Sequence, residues 1–284
     1  MEKKKLERIK TVVFDLDGTI YQDFTFHRHY FRRLLDGTGM EGREEGLVAF
    51  MDDVLSGKKL RMNVFYRPEP LGTLPPDEYF GALEALAADA PAPPAHAAES
   101  HGRGSGAPGD LIYLGDAWAV AMFLGKTLGL LEGARNDEVY YATRADMENS
   151  AEAGSPELRK ALAKVGRLLN IALISNSPED VAARYLKKLG FSGLFEHVGY
   201  SANKPEGFLK ALEELFPNAL SEPGTVMSVG DHAYNDLSPV QAIGGTAIWV
   251  CPYHGIHEPA YDAKLKSARD IAEFMQMILH YKGE

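Results

Sequence analysis

Four short stretches of the chain put oxygen and nitrogen groups where a strand is expected to end. Asp15-Leu16-Asp17-Gly18-Thr19 follows the apolar run Thr11 to Phe14, and Ser175-Asn176 follows Ile171 to Ile174. Lys204 stands shortly after the weaker run Glu196 to Tyr200, and Asp231 and Asp236 come after Thr225 to Val229. In open α/β sheets, ligands bind at the carboxyl ends of the strands. If these ends meet, one pocket holds several carboxylates, a hydroxyl and an ammonium. Carboxylates this close repel and would hold protons unless a hard cation neutralised them. An oxygen-only set with few carboxylates suits magnesium, which keeps waters and takes its remaining ligands from phosphate. The clustered acids thus read as a phosphate site.

The elements that must position these groups are legible from periodicity. Thr11, Val12, Val13 and Phe14 form a continuous β-branched and aromatic run, the mark of a strand buried on both faces. From Ser155 onward, helix and strand signals alternate. Ser155-Pro156-Glu157 and Ser177-Pro178-Glu179 each set a capping hydroxyl before a proline suited to a first helical turn. Lys204-Pro205 opens a helix through Leu215, followed by a strand at Thr225 to Val229, a helix near Leu237 to Ile243 and a strand at Ala247 to Val250. That alternation predicts right-handed crossovers and a parallel sheet, with the early strand as its remaining member. Beyond Cys251, Tyr253 to His257 reads as a surface loop and Ala268 to His280 as a closing helix.

Between about Tyr21 and Ser150 there is almost no strand signal. Apolar residues there recur at helical spacing, as in Leu47, Phe50, Met51, Val54 and Leu55, closed by Gly57. Pro76-Asp77-Glu78 and Asn136-Asp137-Glu138 begin further helices, with acidic residues at the favoured end. The interior stretch from Ala90 to Gly109 is rich in Pro, Gly, Ala and Ser and is expected to be a flexible loop.

Composition excludes several classes. At 284 residues the chain has room for two compact units. Its single cysteine, Cys251, can form no internal disulfide and no Cys-based zinc site, which favours a reducing cytoplasm. A formal charge of −10 argues against a general basic surface for nucleic acid or anionic lipid. The charged start MEKKKLERIK lacks the apolar run of a signal peptide, and no stretch approaches a membrane span. The expectation is a cytoplasmic protein with no nucleic-acid or membrane partner.

The four stretches, in this order, resemble the four motifs of the haloacid dehalogenase superfamily. The resemblance covers roughly residues 6 to 20 and 151 to 270. It implies an α/β fold: a Rossmann-like parallel sheet with strand order 3-2-1-4-5 and an inserted α-helical cap. Residues 1–20 and 151–284 would be the core and 21–150 the cap. It implies a magnesium-dependent phosphatase acting on a small phosphorylated metabolite. Asp15 would attack phosphorus to form an aspartyl-phosphate, and Asp17 would protonate the leaving oxygen and then activate water. Gly18 would let the chain turn away tightly, and Thr19 would orient Asp17. Ser175 would donate to a phosphoryl oxygen, and Lys204 would offset its charge. Magnesium would sit on Asp15, Asp231 and the backbone carbonyl of Asp17, with Asp236 supporting that shell or holding Lys204.

Bland readings stand beside these. Asp231 and Asp236 could be caps, Asn176 either a phosphate contact or a turn residue, and Ser177 a cap alone. His232, where many relatives carry a small residue, either touches substrate or packs at the rim. Arg28 and Arg32 lie in the basic, aromatic-interleaved stretch His27 to Arg33, and either reach a second anionic group of the substrate or belong to a solvated face. Trp118, Met122 and Phe123 read as lid core before substrate wall. Only 28 positions separate Asn176 from Lys204, which leaves no room for a large lid there and puts the lid between the first two motifs. Asp17 argues against a dehalogenase. A phosphomutase, a phosphonate hydrolase using a lid lysine (Lys58, Lys59 or Lys126) and a non-catalytic ligand-binding regulator are the alternatives.

Overall fold

The computed structural model describes residues 3–86, 111–150 and 154–283. The elements in chain order are α1 (Lys3–Glu7), β1 (Thr11–Phe14), α2 (Phe26–Leu35), α3 (Glu44–Leu55), β2 (Phe65–Tyr66), α4 (Pro76–Leu86), β3 (Ile112–Tyr113), α5 (Ala117–Thr127) and α6 (Arg135–Ser150). There follow α7 (Pro156–Val165), β4 (Asn170–Ile174), α8 (Glu179–Lys188), β5 (His197–Gly199), α9 (Phe208–Leu215), β6 (Val226–Gly230), α10 (Ser238–Ala242), β7 (Thr246–Val250), β8 (Ala263–Leu265) and α11 (Ala268–Tyr281). The stretch expected to be a flexible loop, Ala90 to Gly109, lies outside the described residues.

Six parallel strands form one sheet in the order β5-β4-β1-β6-β7-β8. β1 sits between β4 and β6, with Val13 level with Ala172 on one side and Ser228 on the other. Alternate residues feed two apolar layers. Val12, Phe14, Ile171, Leu173, Met227 and Val229 belong to one, together with α7, α8 and α11. Val13, Ala172, Ile174, Ala247 and Trp249 belong to the other, with Phe208 and Leu212 of α9 and Val240 of α10. Burial on both sides is why these strands read as unbroken apolar runs.

The first five core strands have the expected order, and β8 extends it. β8 escaped the sequence reading because its three residues, Ala-Lys-Leu, are only half-buried and contain no β-branched side chain. The insertion after β1 is mainly helical, but β2 and β3 pair as a short antiparallel ribbon, Phe65 level with Tyr113. Two residues are too few to show a period-two pattern. α2, α3 and α5 bury Phe31, Met51 and Phe123 in the same apolar cluster that includes Val12 and Phe14.

Helix starts agree with the sequence in part. Ser155 caps α7 by accepting from the Leu158 amide. Ser177 does not cap α8, whose preceding residue Pro178 makes no side-chain cap. α9 begins at Phe208, after a turn at Pro205, and the region after Asp231 is a single wide turn over Ala233–Leu237 that leads into α10.

Candidate active site

The carboxyl ends of β1, β4 and β6 and the loop after β5 do converge. Lys204 Nζ lies 2.6 Å from Asp15 Oδ1 and 2.6 Å from Asp236 Oδ1, with all three groups buried. Carboxylate oxygens of Asp15, Asp231 and Asp236 lie within 4.8 Å of one another. The other oxygen of Asp236 accepts from the His232 amide at 3.0 Å. Asp236 is thus occupied on both sides, whereas the Asp231 carboxylate has no hydrogen-bond donor among the described residues. Gly18, at φ +77°, lies so close to Asp231 that a Cβ there would collide with its carboxylate. Only glycine carries the chain past that group without strain.

Charge follows from this packing. Burial pushes the Asp15 carboxyl up to about 8; Lys204 opposes the rise, and Asp236 and Asp17 add to it. Asp231 is likewise raised well above its ordinary value, first by burial and then by Asp116, Asp15 and Asp236. Burial works against the Lys204 ammonium, but Asp15 and Asp236 outweigh it and hold its pKa above the usual lysine value. Three carboxylates face one ammonium. Ionised together they carry an excess of two negative charges, which a divalent, oxygen-seeking cation would cancel. The donor set fits magnesium.

Asp17 points elsewhere than the carboxylate cluster. Its Oδ1 accepts from Arg144 Nη1 at 2.6 Å and its Oδ2 from Ser177 Oγ at 2.9 Å. Tyr140 donates to Ser177 Oγ at 3.3 Å. Thr19 was expected to orient Asp17, but its hydroxyl is fully buried without a hydrogen-bond partner among the described residues. Arg144 and Ser177 hold Asp17 instead. Ser175 is buried at the end of β4, its Oγ accepting from the Ser177 amide at 3.1 Å. Asn176 takes the turn role: its Oδ1 accepts from the Lys204 amide at 2.7 Å and its Nδ2 donates to the Lys204 carbonyl at 3.3 Å. It therefore fixes the loop that delivers Lys204.

Above these groups lies a cavity of about 700 Å³, reached by Asp15, Asp17, Ser175, Lys204, Asp231 and Asp236 from the sheet and by α5 and α6 from the insertion. Arg28 and Arg32 are not among its lining residues. Their side chains are 58% and 66% exposed and lie near Asp52 and Glu44, so the solvated-face reading applies to them. Trp118 and Met122 line the cavity and are only partly buried, while Phe123 is wholly buried in the core. Lys126 also lines it, whereas Lys58 and Lys59 pair with Asp53 outside it.

His232 is buried, accepts from the Asn235 amide on Nδ1 and packs so tightly on Gly115 that a Cβ there would meet its ring. Asp116 also lines the cavity and caps α5 by accepting from the Ala119 amide at 2.6 Å. Sequence reasoning missed Asp116, Arg144 and Ser177 as site residues. Asp116 stands directly before the helical run from Ala117, and Ser177 before Pro178-Glu179; such a signal marks a helix start and not a site. Arg144 sits in a polar helix beside the buried positions Val139, Thr143 and Met147, so its own burial had no local signal.

A parallel α/β sheet with an acid-rich centre at its strand ends, roofed by a helical insertion, defines the class of protein. The chain belongs to the haloacid dehalogenase-like hydrolases, whose family model matches residues 9–244. Three solved structures share the fold. A magnesium-bound structure named as the HAD-hydrolase YfnB of Bacillus subtilis is 14% identical, with a TM-score of 0.51, over 94% of this chain and 99% of that one. One named as a phosphatase from Clostridium difficile is 15% identical, with a TM-score of 0.52, over 94% and 98%. A HAD family hydrolase from Deinococcus radiodurans R1, with bound phosphate and sodium, is 14% identical, with a TM-score of 0.50, over 96% and 97%. No curated protein matches the sequence. No helix among the described residues is long and apolar enough to cross a membrane.

Proposed function

We propose that this hydrolase is a magnesium-dependent phosphatase that cleaves the phosphate monoester of a small metabolite. The observation that carries the reading is Lys204 Nζ bridging Asp15 and Asp236 at 2.6 Å each, with the Asp231 carboxylate left open beside them. A bound magnesium would neutralise the excess charge and hold a phosphoryl oxygen. Asp15 attacks phosphorus; the P–O bond to the leaving group breaks as the Asp15–phosphorus bond forms. Asp17, once one of its oxygens is freed from Arg144 or Ser177, carries the proton to the departing oxygen, then takes one from the water that hydrolyses the aspartyl-phosphate. Ser175 Oγ and the Lys204 ammonium stabilise the charge on the phosphoryl oxygens. The helical insertion, with residues 21–150 as its proposed extent, covers the reacting atoms and excludes bulk water.

Asp15→Asn is expected to abolish hydrolysis of a generic aryl phosphate, measured as phosphate release with magnesium present. Retained turnover in that variant overturns the nucleophile assignment.

A further inference from the structure

The cavity is far larger than a phosphoryl group requires. Its volume of about 700 Å³ lies within the roughly 300–1,000 Å³ of sites that enclose whole organic ligands. Its shape is set partly by α5, along which Trp118, Met122 and Lys126, four residues apart, all line the cavity. At 1.5 Å of rise per residue, that stripe measures about 12 Å. A sugar phosphate is shorter than such a slot. A second lining surface is a cluster of three rings: Phe65 lies 5.0 Å from Tyr113 and 5.2 Å from Tyr234, and Tyr113 lies 5.4 Å from Tyr234.

These surfaces reward one kind of leaving group. Ring faces, an indole and a thioether favour a planar apolar face, through contact area and ring–ring geometry. A bare sugar offers hydroxyls all round its ring that need polar partners, and along this lining Phe65 and Met122 supply none while Trp118 offers only its one indole N–H. Polar groups line the cavity too. Lys126 is exposed and has no ion-pair partner among the described residues, and Asn136 and Asp137 line the cavity from the first turn of α6. A planar ring bordered by nitrogen and carbonyl groups would satisfy them.

We infer that the site takes a phosphate monoester whose leaving group ends in a planar heteroaromatic ring with a polar edge. Nucleoside monophosphates are the chemical class of that length. The inference rests on the phosphatase reading above and narrows it: the ring lies against Trp118, Met122 and the Phe65–Tyr113–Tyr234 cluster, and Lys126 addresses its polar edge.

The experiment compares kcat/KM for nucleoside 5′-monophosphates of several bases with that for ribose 5-phosphate, which keeps the ester and the pentose and lacks the ring. Acetyl phosphate, which has neither, reports phosphoryl-transfer competence. The best nucleotide is expected to exceed ribose 5-phosphate by at least roughly tenfold, the scale of one aromatic stacking contact. Tyr234→Ala and Met122→Ala are expected to bring the ratio towards one. Met122 lines the cavity and is only partly buried, so its truncation does not threaten the core.

A ratio at or below one for every base, with acetyl phosphate turned over, overturns the ring inference and leaves the phosphatase reading standing. If neither the esters nor acetyl phosphate is hydrolysed, the phosphatase reading fails. Calorimetric titration of the same nucleotides and of ribose 5-phosphate, with magnesium, then decides the ring site: tighter nucleotide binding supports it, and equal or undetectable binding overturns it.

Discussion

Arg144 is a cation where its helix would be expected to bury an apolar group. Its side chain is 1% exposed, and its guanidinium packs 4.2 Å from the centre of the Tyr185 ring. Tyr185 in turn donates to the Arg144 carbonyl at 2.8 Å, so residue and ring fix each other. A buried arginine is costly unless paired, and its described ion-pair partner is Asp17. The pair therefore ties the position of the proposed acid to the insertion. If Asp17 delivers the proton to the leaving oxygen, a loosened Asp17 matters most when that oxygen is a poor leaving group. Arg144→Met is expected to lower kcat for an alkyl phosphate by roughly a hundredfold, the scale of general acid catalysis. Hydrolysis of p-nitrophenyl phosphate, whose leaving group departs without a proton, should fall much less. Equal losses on both substrates would show that Arg144 only supports the fold.

Elements divide into those that announced themselves and those that needed their neighbours. β1, β4, β6 and β7 were legible because each strand is buried on both faces and so carries an unbroken apolar run. The groups at their ends were legible for the same reason, since a strand end is a place. Ser177 and Arg144 were not, because their roles depend on Asp17, which lies 160 and 127 positions away along the chain. The basic face of α2 left two readings open, an anion site and a solvated face, and its arginines lie exposed beside Asp52 and Glu44. Arg28→Ala and Arg32→Ala are expected to leave KM within about twofold of the parent, as exposed pairs contribute little; a large rise in KM would restore them to the substrate site.

The informative residue of α2 is His27, which is 2% exposed, with Nε2 3.1 Å from Asp52 Oδ1. Burial holds its imidazole below its ordinary value of 6.5, while Asp52 pulls the other way. A lowered pKa in the folded state means that the unfolded chain takes up the proton first as pH falls. Its contribution to stability is therefore intact above about pH 6.5 and is lost as pH drops towards the folded value. Replacing it by Gln is expected to raise Tm at pH 5 relative to pH 7 when compared with the parent; an unchanged pH dependence would remove His27 from the account.

At the scale of the whole molecule, one apolar cluster spans the sheet and the insertion, while the polar centre beneath the roof holds more negative charge than its own lysine can balance. Asp15, raised to about 8, and Asp231, raised well above 3.8, both hold protons more tightly folded than unfolded. These two groups therefore favour the metal-free fold at low pH, and that contribution is lost as pH climbs from about 4 through 8. Magnesium competes with those same protons. Its binding, and the stabilisation it brings by mass action, should grow as pH rises over that window. At a concentration a hundredfold above its dissociation constant, the ion would add about 2.7 kcal/mol, which is several degrees in Tm for a chain of this size. Thermal melts with and without magnesium at pH 5.5 and pH 8 test this directly: the increment is expected to be small at the lower pH and several degrees at the higher. Asp231→Asn removes both an open ligand and a source of repulsion, so it should abolish the increment and raise the metal-free Tm at pH 8. An increment that ignores pH, or that survives in Asp231→Asn, would mean that the ion binds somewhere other than this cluster.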